Sequence, residues 1–201
     1  MVVVVIVVAF VGVGAEAIIQ GFRGSPSSSA ATPDPTPTDS GYLAPVQDRG
    51  TAAAVAGVKK VLPGLLTESV AVQRLPKNLA ARAAQIANPK AVASRRQAIN
   101  QVWVPSQRAG VVAGLEQALA ELGADASYTP FQDNRFVLKR WQGVEVHGHA
   151  ATALLVGHEE YKLAGTWQAD ADQQYQIALG SLDPKHHWGL LGVSRVPLPT
   201  G

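Results

Sequence analysis

In the stretch QQYQIAL, residues 173–179, large apolar side chains recur at every second position from Tyr175. Tyr175, Ile177 and Leu179 take every second position, and Gln174 and Gln176 stand between them. Successive side chains of a β-strand point to opposite faces of the sheet, so this period predicts a strand with one face on a core.

Three other stretches after Gly123 also have an extended pattern, and with QQYQIAL they predict four strands. Asp183-Pro184-Lys185 predicts the turn of a terminal hairpin, because these residue types favour tight turns. The three stretches are RFVLKRWQGVEV (135–146), ATALLVGHEEYKLAGTW (151–167) and HHWGLLGVSRV (186–196).

Helical patterns precede these strands. Thr51 is placed to cap a helix that carries Val55, Val58 and Leu62 on one side, and Pro63-Gly64 is expected to interrupt it. A second helix is predicted from about residue 77, in the Ala-rich stretch LPKNLAARAAQIAN.

Two more helices are predicted at proline positions. Asn88-Pro89 supplies an N-cap followed by a proline at the first helical position, and Pro105-Ser106 begins the next helix, with Gly123 as its C-terminal cap. Helices followed by antiparallel strands predict an α+β fold, in which the helices pack on one face of a curved antiparallel sheet of about four strands.

The first 22 residues, MVVVVIVVAFVGVGAEAIIQGF, are almost entirely apolar. Gly12, Gly14 and Ala17 match the spacing of a dinucleotide-binding loop, which needs a crossover helix and a second strand behind it. Residues 24–41 hold four Pro, five Ser, three Thr and two Gly, and such a tract cannot supply either element. The dinucleotide interpretation is therefore excluded.

Three interpretations of this run stay open. The favoured one is a transmembrane helix with Glu16 at the membrane boundary. A signal peptide cleaved after Ala15-Glu16-Ala17 and a buried valine-rich strand are the other two. The expected organisation is an anchor or uncleaved signal over 1–22, a Pro/Ser/Thr-rich tether over 23–47, and an extracytoplasmic α+β domain over 48–201.

Composition removes several classes of function. The 201-residue chain has no cysteine, which excludes disulfides, thiolate catalysis and cysteine zinc sites. Its formal net charge is +2 and no basic block occurs, so nucleic acid is not an expected partner. No G-x-S-x-G motif, P-loop or pair of catalytic carboxylates is recognisable, so neither a cofactor nor an enzymatic activity is expected.

Histidines are the weak candidates for a metal site. His147 and His149 at i, i+2 would project from one face of a strand and offer two zinc ligands, with Glu145 or His158 as distant further ligands. Solvent-facing histidines at the end of a strand are the favoured interpretation. His158-Glu159 begins an H-E-x-x-H motif, but Lys162 occupies the fifth position and excludes it.

The remaining polar and aromatic positions have structural interpretations. Asp170 and Asp172 are expected in a solvated turn, and His186-His187 as a polar surface pair. Four tryptophans are expected to pack in the core and against the sheet rather than to stack on a ligand: Trp103, Trp141, Trp167 and Trp188.

The order of span, tether, helices and strands resembles single-pass bacterial membrane proteins with a nuclear-transport-factor-2-like (NTF2-like, cystatin-like cone) extracytoplasmic domain. The stretches that support this are WQGVEVHGHA (141–150), GTWQADADQQYQIAL (165–179) and HHWGLLGVSRV. That group includes the inner-membrane assembly component of type IV secretion and conjugation machines and the mammalian-cell-entry-associated membrane proteins.

This resemblance implies a membrane-anchored, non-enzymatic scaffold that self-associates or docks protein partners. An accessory protein of cell-envelope transport is the close alternative. A small-molecule-binding or enzymatic cone is the competing class, and its members place an Asp/His or Asp/Tyr pair inside the cone. The sequence alone does not locate such a pair in this chain.

Overall fold

Four helices precede five strands in the computed structural model, which describes residues 42–182 and 187–198. The helices are α1 (Ala52–Ala71), α2 (Leu79–Ala87), α3 (Pro89–Val102) and α4 (Pro105–Ala124). The strands are β1 (Asp133–His147), β2 (Ala150–Leu163), β3 (Thr166–Ala169), β4 (Gln173–Ser181) and β5 (Trp188–Pro197). The predicted α+β fold, with helices on an antiparallel sheet, is confirmed.

Several predictions fall outside the described residues. These are the anchor or signal over 1–22, most of the tether, the turn at 183–185 and His186. Within the part of the chain that is described, no helix combines the length and the hydrophobicity that crossing a membrane requires.

The helices begin where the sequence predicts. The side chains of Thr51 and Asn78 accept hydrogen bonds from the backbone N–H groups of Ala54 and Ala81. Asn88 accepts from the backbone of Lys90 at 2.9 Å. Each cap satisfies a backbone donor that the first turn of a helix leaves without a partner.

The expected interruption at Pro63-Gly64 is wrong, because α1 continues through Pro63 to Ala71. A proline removes one backbone donor, and here the cost is offset by a buried row of side chains that runs on both sides of it. Leu62 and Leu66 in this row are 0% and 2% exposed. The Thr67 hydroxyl also donates to the Pro63 carbonyl at 3.1 Å.

Gly123 is not a helix cap either. It lies inside α4, which ends at Ala124 with Asp125 as the C-cap. A Cβ added at Gly123 would stand 2.3 Å from Ile86 Cδ1. The glycine lets the end of the Ile86 side chain on α2 pack against α4, and a larger residue there would displace Ile86 Cδ1.

Arg82 joins these helices to the start of the sheet. Its side chain is buried, and the guanidinium donates to five backbone carbonyls: those of Pro76, Lys77, Leu122, Asp125 and Tyr128. Two of these carbonyls belong to the end of α4 and its cap. The planar guanidinium, with its five donors, thus ties α2, the end of α4 and the loop before β1 together.

The sheet is antiparallel with the order β1-β2-β4-β5, and β3 pairs with the far end of β2. The stretch 151–167, predicted as one strand, forms two strands, so the sheet has five strands instead of about four. Ala164 and Gly165 make the turn between them, with φ values of 48° and 89°. An alanine in this left-handed region gives no sequence pattern that distinguishes the turn from a continuing strand.

The hydrophobic core lies between the helices and one face of the sheet. Tyr175, Ile177 and Leu179 share this face as predicted, and each is at most 3% exposed. They belong to one cluster with residues from the helices and from β2: Val58, Leu62, Leu66, Ile99, Leu115, Leu119, Ala153 and Leu155. Trp103 and Trp188 belong to the same cluster, Trp141 packs against it, and Trp167 is 36% exposed.

Residues 42–50, here called the entry segment, lie along β1, although the sequence places 42–47 in the tether. The Val46 amide donates to the Gln142 carbonyl at 2.7 Å. Arg49 donates to Val144 and accepts from Val146, both at 2.8 Å, and forms a parallel bridge with Glu145. The sequence does not predict this attachment, because residues 42–50 have no alternating strand pattern. Backbone hydrogen bonds to β1 hold the segment instead.

Gly143 makes the contact between the entry segment and β1 possible, and substituting it tests that contact. Its φ is +147°, and a Cβ there would stand 2.4 Å from Val46 Cγ2. We expect Gly143→Ala to lower the free energy of unfolding by about 2–4 kcal/mol through strain and overpacking, as measured by urea denaturation.

Gly64→Ala is the matched control, since Gly64 lies in the exposed interior of α1 with no atom within 4 Å of an added Cβ. It should stabilise the protein by about 0.5–1 kcal/mol. Equal effects of the two alanines would contradict the assigned role of Gly143.

Candidate functional site

The most buried charged group on the core face of the sheet is the carboxylate of Glu159, which is 2% exposed. Glu159 and Tyr161 lie at i, i+2 on β2 and therefore point to the same face. The Tyr161 hydroxyl donates to Oε2 of Glu159, and Nη2 of Arg195 on β5 donates to Oε1. Both carboxylate oxygens thus have a partner inside the fold.

Aromatic side chains enclose this ion pair. Arg195 stands opposite Tyr175 in the β4–β5 register, with its guanidinium 5.2 Å from the centre of the Tyr175 ring. Phe136 meets Tyr175 edge-on at 5.0 Å. We call Glu159, Tyr161, Tyr175 and Arg195 the Glu159 cluster. It places a carboxyl group, a guanidinium and two phenols between the sheet and the helices.

Burial controls the protonation of the Glu159 cluster. It raises the pKa of the Glu159 carboxyl, and the charge of Arg195 and the Tyr161 hydrogen bond oppose this rise. Burial also raises the pKa of both phenols, so Tyr161 and Tyr175 stay protonated. A carboxyl group with a raised pKa next to a phenol can exchange a proton, provided that a substrate reaches it.

The loop between β3 and β4 begins with a backbone bond to β2 beside the Glu159 cluster. The backbone N–H of Asp170 donates to the Glu159 carbonyl at 2.9 Å. Partial burial raises the pKa of the Asp170 carboxyl, and the charges of Arg195 and His158 oppose the rise. Asp170 as a residue is exposed, as a solvated turn requires, while its carboxyl group is partly buried and lies in the field of the Arg195 charge.

His158 lies on the opposite face of β2, with its side chain 9% exposed. Its Nδ1 is 2.5 Å from Oδ1 of Asp172, and its Nε2 is 3.5 Å from Oε1 of Glu160. The turn that holds Asp172 is therefore attached to the sheet by a side-chain bond. The two aspartates do not act as a pair, because Asp172 bonds His158 and Asp170 is linked to Arg195.

Polar side chains on this outer face also hold the entry segment. Gln174, which is fully buried, accepts from the Leu43 amide at 2.8 Å and donates to the Leu43 carbonyl at 2.6 Å. Gln142 donates to the Tyr42 hydroxyl at 2.8 Å. The two glutamines bond each other at 2.8 Å, so the entry segment is attached to β1 and β4 together.

The predicted histidine pair does not form a shared strand face. His147 ends β1, and Gly148 and His149 make the two-residue turn to β2, with Gly148 at φ +57°. The His147 side chain is 74% exposed and its Nε2 is 4.0 Å from Glu145 Oε2. His158 pairs with Val137, near the far end of the hairpin. Among residues 42–182 and 187–198, no three His, Asp or Glu side chains are grouped to hold a metal ion.

Two solved structures are similar to the chain. One is the crystal structure of an NTF2-like protein with a cystatin-like fold from Novosphingobium aromaticivorans, 17% identical, with a TM-score of 0.35 over 75% of this chain and 92% of that one. The other is a nuclear transport factor 2 (NTF2-like) superfamily protein from Salmonella enterica, 15% identical, with a TM-score of 0.35 over 71% of this chain and 96% of that one. Protein-family models and curated proteins give no match to the chain.

Sequence reasoning missed the Glu159 cluster. The i, i+2 spacing of Glu159 and Tyr161 places them on one strand face, but these residues also overlap the incomplete H-E-x-x-H motif that begins at His158. Arg195 gives a stronger indication, since it is the one charged residue in the stretch WGLLGVSRV (188–196). Its pairing with Tyr175 depends on the strand register, which the sequence pattern leaves open.

Removing Arg195 tests the charge balance of the Glu159 cluster. We expect Arg195→Met to lower the free energy of unfolding at pH 7 by about 3–5 kcal/mol, because it leaves a buried carboxylate without a counter-ion. The native pKa of Glu159 then rises further above its unfolded value. The native state therefore binds the proton more tightly, and the loss disappears as pH falls to about 4 and grows as pH rises.

Urea denaturation from pH 4 to 8 measures this effect. The double variant Glu159→Gln/Arg195→Met should recover most of the loss at pH 7. Arg135→Met is the control, because Arg135 pairs with Glu160 with 56% of its side chain exposed, and it should cost much less. A loss in Arg195→Met that does not change with pH would contradict the assigned ion pair.

Zinc tests the His147 and His149 turn. Two histidines at an exposed turn supply too few ligands for a stable site, so we expect added zinc to leave the melting temperature unchanged. The double variant His147→Ala/His149→Ala is the control. A zinc-dependent rise in melting temperature that this variant abolishes would restore the metal interpretation.

Proposed function

We propose that the chain is a membrane-tethered, non-enzymatic scaffold with an NTF2-like extracytoplasmic domain, and that it assembles with protein partners. The observation that carries this proposal is the filled space between the helices and the sheet. Leu62, Leu155 and Leu179 are fully buried there, and Tyr175 is 1% exposed. Side chains thus take the place that a ligand occupies in a binding cone.

The bonding of the Glu159 cluster supports the same proposal. An acid–base site needs a carboxylate that a substrate can reach, and both oxygens of Glu159 are taken by Tyr161 and Arg195. The ion pair supplies polar specificity to the core, where an unpaired carboxylate would be strongly unfavourable.

The entry segment supports a tethered role. A domain held by its N-terminal side needs a firm attachment between the tether and the fold. Backbone bonds to β1 and the double hydrogen bond between Leu43 and Gln174 provide one. Residues 1–22 are proposed as the membrane anchor and the Pro/Ser/Thr-rich tract as the spacer.

A conjugation or type IV secretion machine is the proposed setting, with cell-envelope transport as the alternative. Both settings use a tethered domain with protein partners. Neighbouring genes distinguish the two: secretion ATPases would indicate the first setting and lipid-transport genes the second.

A small-molecule-binding or enzymatic cone is the second candidate, and one observation favours it. Glu159 and Tyr161 form a carboxyl–phenol pair inside the fold, and the pKa of that carboxyl is raised. This function would require Arg195 to move aside, and Glu159→Gln would then abolish ligand binding without unfolding the protein.

The topology and the assembly state of the full chain test the scaffold proposal. Alkaline phosphatase, fused to the C-terminal end, should be active in a Gram-negative host, because this enzyme folds only after export. The chain should stay with the membrane after an alkaline wash, and the detergent-solubilised protein should be larger than a monomer by light scattering.

Deleting residues 1–22 is the control and should abolish both phosphatase activity and membrane retention. An inactive fusion would overturn the proposed topology. A monomeric chain that shows no crosslink to any other protein in intact cells would overturn the scaffold role.

A further inference from the structure

An apolar groove opens between the three helices α2, α3 and α4. Its cavity has a volume of about 60 Å³. The apolar side chains that line it come from all three helices: Ile86, Val92, Ile99, Val112, Leu115 and Leu119. We call it the helix groove.

Three charged side chains border the helix groove: Arg95, Arg96 and Glu116. Arg96 and Glu116 neutralise each other through a hydrogen-bonded pair at 2.8 Å between α3 and α4. Their charges cancel, so Arg95 is the residue of the three whose charge is left unbalanced at the groove.

Arg95 is half-buried at the groove and pairs with no carboxylate of the described residues. Its one hydrogen bond is long, 3.5 Å from Nη2 to the Arg74 carbonyl. Burial lowers the pKa of the guanidinium, although an arginine stays charged at neutral pH. A partly desolvated cation beside an apolar cavity favours a ligand that brings both a carboxylate and an apolar group.

The size of the groove decides the class of that ligand. A closed cavity of about 150 Å³ holds one benzene molecule, and sites for small molecules are generally larger still. A cavity of 60 Å³ is too small to bury a whole ligand, yet it accepts the end of one aliphatic side chain. Grooves between helices commonly take such side chains from an amphipathic helix.

We propose that the helix groove docks an acidic amphipathic helix of a partner protein, with one leucine-like side chain in the cavity and a glutamate one turn away paired with Arg95. Side chains four residues apart lie on one face of a helix, so a single partner helix can supply both groups. The groove is then the partner-binding surface of the scaffold, and in that respect the inference rests on the proposed function.

Labelled alanine-based helical peptides test this with the full chain in detergent. The probe peptide carries one leucine and a glutamate four residues later, and fluorescence anisotropy measures its binding. A peptide with lysine in place of glutamate should bind roughly tenfold more weakly, and so should a peptide with alanine in place of leucine.

Reversing the groove charge provides the matched test. Arg95→Glu should weaken the glutamate peptide roughly tenfold or more and should strengthen the lysine peptide, and Arg95→Gln should weaken the glutamate peptide alone. Lys90→Glu is the control, because Lys90 is exposed in the first turn of the same helix and does not line the groove. It should leave both affinities unchanged.

Three outcomes would overturn the inference. Equal binding of the glutamate and lysine peptides would remove the role of Arg95. Tighter peptide binding after deletion of residues 1–41 would identify the chain's own N-terminal part as the occupant. Dissociation of a self-assembled chain by Arg95→Glu would identify a second copy.

Failure of the inference and failure of the scaffold proposal remain distinguishable. If the chain is exported, anchored and assembled but does not distinguish the peptides, only the groove inference is wrong. If the chain binds the glutamate peptide through Arg95 but is neither anchored nor assembled, only the proposed scaffold function is wrong.

Discussion

The strand β2 is the constraint on which the rest of the structure depends, because it pairs with β1, β3 and β4 and is buried on both faces. Leu155 faces the helices, and Leu154 and Val156 face the other side; all three are at most 2% exposed. A shift of one residue would exchange the two faces, bringing His158 into the core and Glu159 out of it. The register of β2 therefore fixes which polar groups become internal.

The internal charges then determine how the neighbouring elements are arranged. Glu159 can be buried only where Arg195 reaches it across β4, so the ion pair fixes β5 relative to β2. Arg82 is a buried cation that has no carboxylate partner among the described residues. Five backbone carbonyl oxygens accept its hydrogen bonds instead. Arg195 links β5 to β2, and Arg82 links the helices to the loop before the sheet. Lysine could not replace either residue, because it lacks the planar set of donors.

Features that depend on a single helix or strand were predictable from the sequence. The caps at Thr51 and Asn88 and the alternation at Tyr175, Ile177 and Leu179 follow from single-element patterns, and the structure confirms them. Features that depend on contacts distant in sequence were not predictable. Pro63 is tolerated because of packing along α1, Gly123 is determined by Ile86, and Glu159 needs Arg195, which lies 36 residues away. The position of the entry segment was not predictable, because it is set by hydrogen bonds to the backbone of β1 and to the Gln174 side chain of β4.

The direction of the entry segment has a mechanical consequence. Its C-terminal part runs parallel to β1, from Val46, whose amide bonds the Gln142 carbonyl, to Arg49 beside Glu145. A pull along the axis of this run loads the backbone bonds at Val46 and Arg49 together as shear instead of opening them one after another. Resistance to such a pull is a matter of unfolding rate rather than equilibrium stability, so two variants of equal melting temperature can differ in how long they hold under load.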